Sequence, residues 1–330
     1  MNLEEDIRKK ETLDRYLDLV KEDTEAYFND KSDFMWVSCP ACFSKEYKEE
    51  FCKSGFSYVS CNKCETLYCN PRPTIESLKD FYTKAASTKY WIEKFFKPVA
   101  EERRKYIFSP RAEYVTNEFG KNMEWVIGDI GAGFGLFLEE LRKRWPLSRF
   151  VAIEPSPEQG EICRKKGIEV HSCFIEEIGE LTGQFDLLTS FELFEHILQP
   201  LQFLQKIYDL LKPGGHLILT TFNNKGFDIL LLWDQHKNIF PPVHINFFNL
   251  QSITILLKYC GFLMKKIETP GRLDWDIVEN MIYEGTNGLG RLWPYFAATG
   301  SKDAKEELQG WIQKHLLSSH MRILAQKPAK

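Results

Sequence analysis

The amino-acid sequence predicts an α/β protein in which a doubly wound sheet of seven strands follows a small zinc ribbon with four cysteines. Three observations predict this architecture. Apolar strand-like runs alternate with helical segments beyond residue 112, a glycine-rich turn follows the first run, and two C-x2-C pairs precede them. Strands separated by crossover helices are typical of a mainly parallel sheet. A chain of 330 residues can hold one such domain and a smaller module.

Composition and charge exclude several classes of protein. With 43% hydrophobic and 27% charged residues, the composition is that of an ordinary globular protein. A formal net charge of −4 provides no general attraction to phosphate backbones or anionic lipid, so a nucleic-acid substrate is disfavoured. The N-terminus is charged from its fourth residue, and the sequence contains no apolar run of about 18 residues. We therefore expect no membrane span and a cytoplasmic location.

The pattern of residue types changes along the chain and predicts four segments. Leu13, Tyr16 and Leu17 recur at helical spacing near the N-terminus, and Pro71 and Pro73 end the cysteine-rich stretch. The predicted segments are a helical arm at 1–35, a zinc ribbon at 36–73, connecting helices at 74–111 and an α/β domain at 112–330. Within the last segment, residues 272–318 form a long insertion before the final strand, which we interpret as a lid.

Seven strands are predicted from short apolar runs bounded by turn residues. They occupy residues 125–130, 150–153, 169–171, 185–190, 216–221, 263–268 and 321–327. The insertion contains one predicted helix, at 306–317, and many aromatic residues. Those aromatic side chains have two possible uses, stacking on an acceptor molecule or packing in the core of the insertion.

Four of the nine cysteines form two C-x2-C pairs separated by eighteen residues. They are Cys39, Cys42, Cys61 and Cys64. This spacing is typical of a structural zinc site, because each pair offers two thiolates and four thiolates leave no open position for a substrate. Metal binding would supply folding free energy to a module too small to bury a large core. The alternative is that these are buried or redox-active thiols. Cys52 and Cys69 have no such spacing and are interpreted as buried apolar residues.

The glycine-rich turn after the first predicted strand distinguishes between two classes of cofactor. Its glycines, Gly131, Gly133 and Gly135, have the spacing G-x-G-x-G, and Leu136 stands where a dinucleotide-binding loop has its third glycine. Asp129 precedes the turn, where a carboxylate suits an ammonium group better than a pyrophosphate. The turn therefore favours a nucleoside that carries an amino acid. A helix-capping role for Asp129 is the alternative.

Glu154 ends the second predicted strand, nineteen residues after Gly135. In nucleoside-binding α/β folds, an acidic residue at this place accepts hydrogen bonds from the ribose hydroxyls. A solvated surface glutamate is the alternative. The two carboxylates at these spacings together predict a nucleoside site at the ends of the first two strands.

These motifs resemble the class I S-adenosylmethionine (SAM)-dependent methyltransferases, whose sheet is Rossmann-like and seven-stranded. The resemblance covers residues from about 112 to 330 and includes the glycine turn, Glu154, the segment 185–196 and the LKPGG stretch at 211–215. It implies that SAM is the cofactor and that methyl transfer is the reaction. Asp129 and the glycines would contact the methionine part and Glu154 the ribose.

The resemblance also implies which other residues surround the cofactor. Phe191, Glu192 and His196 would line its cleft, although helix-cap packing or metal binding by Glu192 and His196 are alternatives. Many relatives bind adenine with an acidic residue after the third strand, which is absent here. We therefore expect apolar packing of adenine on Phe174 or Ile175. The full set of expected cofactor-binding residues is Asp129, Gly131, Ala132, Gly133, Gly135, Glu154, Pro155, Phe174, Ile175, Phe191, Glu192 and His196.

The cysteine module, together with the PPVHINFF stretch at 241–248, resembles a narrower bacterial group. Those enzymes carry a zinc ribbon before the methyltransferase domain and are often associated with sugar, surface-polysaccharide or secondary-metabolite pathways. The resemblance implies a small-molecule acceptor, such as a nucleotide-linked or glycan-borne sugar, methylated at oxygen or carbon. His244 is the candidate general base, since a neutral imidazole can accept a proton at cellular pH. Alternatively, His244 only hydrogen-bonds a loop carbonyl.

Two further functions are compatible with the motifs. In the first, an RNA-modifying methyltransferase uses its ribbon to bind substrate, which Glu46, Glu49, Glu50 and Glu65 disfavour by offsetting the ribbon's basic residues. In the second, the fold is a non-catalytic scaffold, which the intact glycine turn and Glu154 disfavour. The sequence does not predict the oligomeric state.

Overall fold

The computed structural model describes residue 7 and residues 9–329. The chain forms two compact units that interleave along the sequence. The ribbon unit comprises Met1–Pro98, Thr221–Ile253 and Glu268–Arg322, and the sheet unit comprises Val99–Thr220, Thr254–Ile267 and Ile323–Lys330. Residues 112–330, which the sequence predicts as one domain, therefore contribute to both units. Positions 1–6 and 8 of the predicted arm, and residue 330, lie outside the described residues.

The sheet unit is built on a doubly wound, seven-stranded sheet, as the sequence predicts. The strands are β4 (Val126–Ile130), β5 (Arg149–Ile153), β6 (Glu169–His171), β7 (Phe185–Phe191), β8 (Leu211–Phe222), β10 (Leu263–Glu268) and β11 (His320–Gln326). Their order across the sheet is β10-β11-β8-β7-β4-β5-β6. The pairs β4–β5, β4–β7, β5–β6 and β7–β8 are parallel. The first strand of this sheet along the chain, β4, thus lies inside the sheet, and later strands are added on both sides of it. Because β4 and β5 are parallel neighbours, their carboxyl ends lie together.

The helices of the sheet unit precede β4 or connect strands of this sheet. They are α4 (Ala100–Arg103), α5 (Ser109–Phe119), α6 (Leu136–Arg142), α7 (Pro157–Lys165), α8 (Pro200–Leu210) and most of α10 (Leu250–Tyr259). Local sequence encodes where some of them begin: Ser156 accepts a hydrogen bond from the backbone of Gln159 at the start of α7, and Pro157 fills the first helical position. Buried side chains such as Phe137, Trp145 and Leu187 form the core beneath α6.

The ribbon unit contains a second, four-stranded sheet. Its strands are β1 (Tyr47–Lys53), β2 (Phe56–Cys61), β3 (Leu67–Cys69) and β9 (Asn246–Phe247), in the order β1-β2-β3-β9. The first three are antiparallel neighbours in sequence, as expected of a ribbon. The fourth, β9, lies far along the chain and pairs antiparallel with β3. Helices α1 (Lys10–Phe28), α2 (Ile75–Lys84), α3 (Ala86–Tyr90) and α9 (Phe227–Leu232) also belong to this unit.

The insertion before the last strand contains three helices rather than the one helix that the sequence predicts. They are α11 (Asp274–Tyr283), α12 (Leu292–Thr299) and α13 (Lys302–Lys314). Trp275, Trp293 and Phe296 pack together in the core of this segment, and Trp275 is fully buried. For Trp275, core packing is therefore the correct interpretation, and stacking on an acceptor is excluded by its burial. Within residue 7 and residues 9–329, no helix is both long enough and apolar enough to cross a bilayer.

Candidate functional site

The glycine turn connects β4 to α6 in the sheet unit. Gly131, Gly133 and Gly135 all have positive φ angles, of 71°, 55° and 69°. At Gly135 a Cβ atom would lie 2.9 Å from Ile168 Cδ1 and 3.0 Å from Cys163 Sγ, so both the backbone conformation and the space require glycine. The turn therefore presents backbone rather than side chains to anything bound against it.

Glu154 follows β5 directly and is only 5% exposed, so the solvated-surface alternative is wrong. Its Oε2 accepts a hydrogen bond from the backbone N–H of Gly133 at 2.8 Å, and its Oε1 accepts one from Ser156 at 2.9 Å. Burial raises the pKa of Glu154, and these two backbone donors act in the opposite direction. A carboxylate has about four lone-pair positions, so each oxygen can accept a further hydrogen bond from a hydroxyl.

Asp129 lies in β4, two residues before the glycine turn, and is 3% exposed. Its Oδ1 accepts a hydrogen bond from the hydroxyl of Thr189 on β7 at 2.7 Å. Burial raises the pKa of Asp129 to about 7, while Thr189 and the positive charge of Arg111 favour the ionised form. The N-cap of α6 is Gly135 and has no side-chain hydrogen bond, so the helix-capping alternative for Asp129 is wrong. A buried, ionised carboxylate of this kind is stabilised most by a cationic ligand, which compensates for the loss of hydration.

Glu192 takes part in an ion pair that sequence reasoning missed. Arg111 Nη2 lies 3.1 Å from Glu192 Oε1, and the hydroxyl of Thr220 donates to the same oxygen at 2.7 Å. The Arg111 guanidinium also lies over the ring of Phe191, 4.5 Å from its centroid. Arg111 is 81 residues from Glu192 and lies in no motif, so nothing in the sequence signals the pair.

The remaining expected cofactor residues follow the carboxyl ends of β4, β5, β6 and β7, and their exposure to solvent differs. Ala132 and Ile175 are buried, Phe174 is half-buried and Pro155 is exposed. His196 belongs to a single 3-10 turn, Phe194–His196, in which its backbone N–H donates to Leu193 at 3.0 Å. Their roles in cofactor binding stay predictions.

The four paired cysteines of the ribbon unit lie close enough to share one metal ion. Their sulfur atoms all lie within 4.8 Å of one another, with Cys39 and Cys64 3.5 Å apart and Cys42 and Cys61 3.4 Å apart. Four sulfurs at the usual zinc–thiolate distance of about 2.3 Å from a tetrahedral centre are about 3.8 Å from one another. The cluster therefore fits zinc.

The two cysteine pairs form equivalent turns. In the first, Phe43 N–H donates to the carbonyl of Cys39 at 3.0 Å, and in the second Glu65 N–H donates to that of Cys61 at 2.9 Å. Phe43 and Glu65 both have positive φ, which bends the chain around the sulfur atoms. The expectation that Cys69 is buried is confirmed, but the same expectation for Cys52 is wrong, because Cys52 is exposed on β1.

His244 lies in the ribbon unit, in the segment that leads into β9, and is 8% exposed. Its Nδ1 lies 2.5 Å from the carbonyl oxygen of Asn238, so Nδ1 carries a hydrogen and Nε2 is the atom that can accept a proton. The rings of Phe222 and Phe240 lie against the imidazole, with centroid distances of 5.0 and 4.3 Å. The hydrogen bond to a loop carbonyl therefore exists, and the role of His244 as a general base stays a prediction.

Comparisons with known proteins agree with this architecture. A family model described as a methyltransferase domain matches residues 99–265. The chain is 35% identical over 104 residues to a ubiquinone biosynthesis O-methyltransferase of Xanthomonas oryzae pv. oryzae, covering 29% of this chain and 42% of that protein. It is 30% identical over 208 residues to the mitochondrial ubiquinone biosynthesis O-methyltransferase of Homo sapiens, covering 56% of each. The matches thus span about half the length of these curated relatives.

A solved structure supports the fold alone. The phosphoethanolamine N-methyltransferase 2 of Haemonchus contortus superposes with a TM-score of 0.51 and 17% identity, covering 82% of this chain and 64% of that one. The family match extends over half of the chain, and it includes the glycine turn, Glu154 and the first five strands of the seven-stranded sheet. The chain therefore belongs to the SAM-dependent methyltransferase family with the class I fold.

Proposed function

We propose that the protein transfers the methyl group of SAM to an oxygen atom of a small molecule. The observation that carries this proposal is the pair of buried carboxylates, Asp129 and Glu154, at the carboxyl ends of β4 and β5 beside the glycine turn. A nucleoside with a positively charged amino-acid tail matches both groups. The curated relatives, which are named O-methyltransferases, support oxygen as the methylated atom.

The residues of the sheet unit fit SAM in the following way. Asp129 would pair with the ammonium group, and the free lone pairs of Glu154 would accept the two ribose hydroxyls. The glycine turn would let the backbone approach the ligand, and Phe174 and Ile175 would cover the adenine. SAM supplies an activated methyl group on a sulfonium ion, so the chain's main tasks are to bind, align and exclude water.

His244 is the proposed general base for a hydroxyl acceptor. Its Nδ1–H is held by the carbonyl of Asn238, so Nε2 is the ring nitrogen that would accept the proton that the hydroxyl loses. The surrounding rings of Phe222 and Phe240 limit the access of water to the imidazole. The four ribbon cysteines would hold a structural zinc ion, which takes no part in the transfer.

We propose a small-molecule acceptor that belongs to one of two chemical classes. The names of the curated relatives favour the hydroxyl of an acceptor related to ubiquinone biosynthesis. The resemblance of the ribbon and of the His244 segment favours a nucleotide-linked or glycan-borne sugar, but the relatives' names do not support a role in polysaccharide biosynthesis. A panel of phenolic and sugar acceptors with labelled SAM would distinguish the classes.

The decisive experiment measures SAM binding by calorimetry in wild type and in Glu154→Gln. The neutral amide retains the shape but loses charge-assisted hydrogen bonds worth about 1.5–3 kcal/mol, so we expect the Kd for SAM to rise by about 10- to 100-fold. Glu169→Gln is the matched control, since Glu169 lies on the neighbouring strand β6 and pairs with the exposed Arg149. Absence of saturable SAM binding by wild type, or equal effects of the two variants, would overturn the proposal.

A further inference from the structure

The ribbon holds the segment that carries His244 through backbone pairing. Strand β3 of the ribbon pairs with β9 in the register Leu67↔Phe247 and Tyr68↔Asn246. The backbone N–H of Cys69 extends this pairing by donating to the carbonyl of Ile245 at 2.9 Å. The three residues that follow His244 are therefore fixed by the ribbon rather than by their own neighbours in sequence.

Tyr58 on β2 contacts His244 itself. Its side chain is fully buried, and its hydroxyl donates to the carbonyl oxygen of His244 at 2.6 Å. Burial raises the pKa of Tyr58 well above its ordinary value, so the phenol keeps its hydrogen and stays a donor. The position of the His244 backbone thus depends on a side chain that lies 186 residues earlier in the chain.

The second cysteine turn is attached to both ends of the same segment. Asn249, after β9, donates its side-chain amide to the carbonyl of Cys64 at 2.8 Å. Asn224, after β8, donates its amide to the carbonyl of Glu65 at 2.6 Å. A metal ion that fixes Cys64 therefore also fixes the places where the segment 224–249 begins and ends.

From these contacts we propose that the zinc ribbon positions the catalytic imidazole, with Tyr58 as the positioning residue for His244. This inference rests on the proposed function, because it assumes that His244 accepts a proton from the substrate. The ribbon then has a second role besides its own folding, because it holds the backbone on either side of the imidazole. A displacement of about 1 Å of a catalytic group can lower a rate about 100-fold.

The test compares Tyr58→Phe with Tyr68→Phe in the full-length, zinc-loaded protein. Tyr68 is an equally buried tyrosine of the same sheet whose hydroxyl has no hydrogen-bond partner among the described residues. Both variants lose one buried hydroxyl, but only the first loses a contact with His244. Zinc content and melting temperature, measured for both, report whether the ribbon stays intact.

The primary readout is nitrogen-15 NMR of the histidine rings, with the His244 signals assigned by their loss in His244→Gln. We expect the Nδ1–H tautomer pattern and the titration of His244 to change in Tyr58→Phe and to be unchanged in Tyr68→Phe, with the Kd for SAM unaltered in both. With a phenolic or sugar acceptor that the enzyme methylates, kcat should fall about tenfold or more in Tyr58→Phe. The pH at which kcat falls to half its maximum should shift, whereas KM for SAM should stay constant.

Asn249→Ser is the second variant if Tyr58→Phe does not fold. A serine can still accept at the start of α10, as Asn249 does from Ser252, but it is too short to reach the carbonyl of Cys64. Identical His244 signals and kcat values in Tyr58→Phe or Asn249→Ser and in Tyr68→Phe would overturn the inference. Full activity of His244→Gln would instead overturn the proposed base, so the two failures are distinguishable.

Discussion

Glu154 of the sheet unit and His244 of the ribbon unit differ in how far along the chain their supporting contacts originate. Glu154 is held by Gly133, 21 residues away, and by Ser156, two residues away. His244 is held by Tyr58, 186 residues away, and by β3. A site built from one βαβ connection needs little more than that connection. A site built from distant segments depends on whatever stabilises the element that joins them.

The largest effect is expected from removing a zinc ligand. Cys64→Ser should abolish tight zinc binding. Structural zinc sites contribute about 10–16 kcal/mol of apparent binding free energy in small metal-dependent peptides, so the ribbon of this variant should lose its cooperative unfolding transition. Zinc content and calorimetric unfolding measure this outcome.

Cys52→Ser is the matched control, since Cys52 lies in the same ribbon but is exposed. It should change stability by no more than about 0.5 kcal/mol. If the comparison between the two regions is correct, the Kd for SAM changes little in Cys64→Ser while the His244 NMR signals are lost. Equal loss of SAM binding and of the His244 signals would break the comparison.

A smaller effect is expected from Asp274 of the ribbon unit, whose pKa is raised to about 6 by burial and by the nearby charge of Asp228. The folded state binds the proton of the Asp274 carboxyl group more tightly than the unfolded state does. The stability that this proton contributes is therefore fully present below the ordinary pKa of 3.8 and is lost as the pH rises through about 6. The difference in free energy of unfolding between wild type and Asp274→Asn should therefore change by up to about 3 kcal/mol from pH 4 to above pH 6. Urea unfolding at several pH values measures it, and a pH-independent difference would contradict it.

The smallest effect concerns Asp129, whose pKa is also raised by burial. Unlike Asp274, Asp129 is the carboxylate that we propose to pair with the ammonium group of SAM. Since SAM would pair with the ionised carboxylate, binding should strengthen as the pH rises and should release a proton. With a pKa of about 7, affinity should increase about fivefold from pH 6 to pH 7, below the ordinary α-amino pKa of about 7.7–8.0.

Calorimetry in buffers of different ionisation enthalpy measures both the affinity and the proton release. Asp129→Asn should bind more weakly and show no such pH dependence over this range. A wild-type affinity that does not vary between pH 6 and pH 7 would show that Asp129 does not face the ammonium group. Added SAM should leave the pH dependence assigned to Asp274 unchanged, which sharpens the contrast between the two units.

Much of the sheet unit could be predicted from the sequence because its signals are local. The seven strands lie where short apolar runs occur, and the G-x-G-x-G spacing with Asp129 and Glu154 identified the turn and both buried carboxylates. The cysteine spacing likewise identified four thiols that do lie together. Each of these patterns is set by residues that are neighbours along one turn, one strand or one connection.

Other features were decided only by the tertiary structure. The pairing of Arg111 with Glu192, the support of His244 by Tyr58 and the addition of β9 to the ribbon sheet all join residues that are far apart in sequence. Cys52 was expected to be buried because its residue type usually is, but its position on β1 exposes it. A pattern of residue types determines which local element forms and which face is apolar. Which distant element covers that face depends on how the whole chain packs, and one sequence read locally does not contain that information.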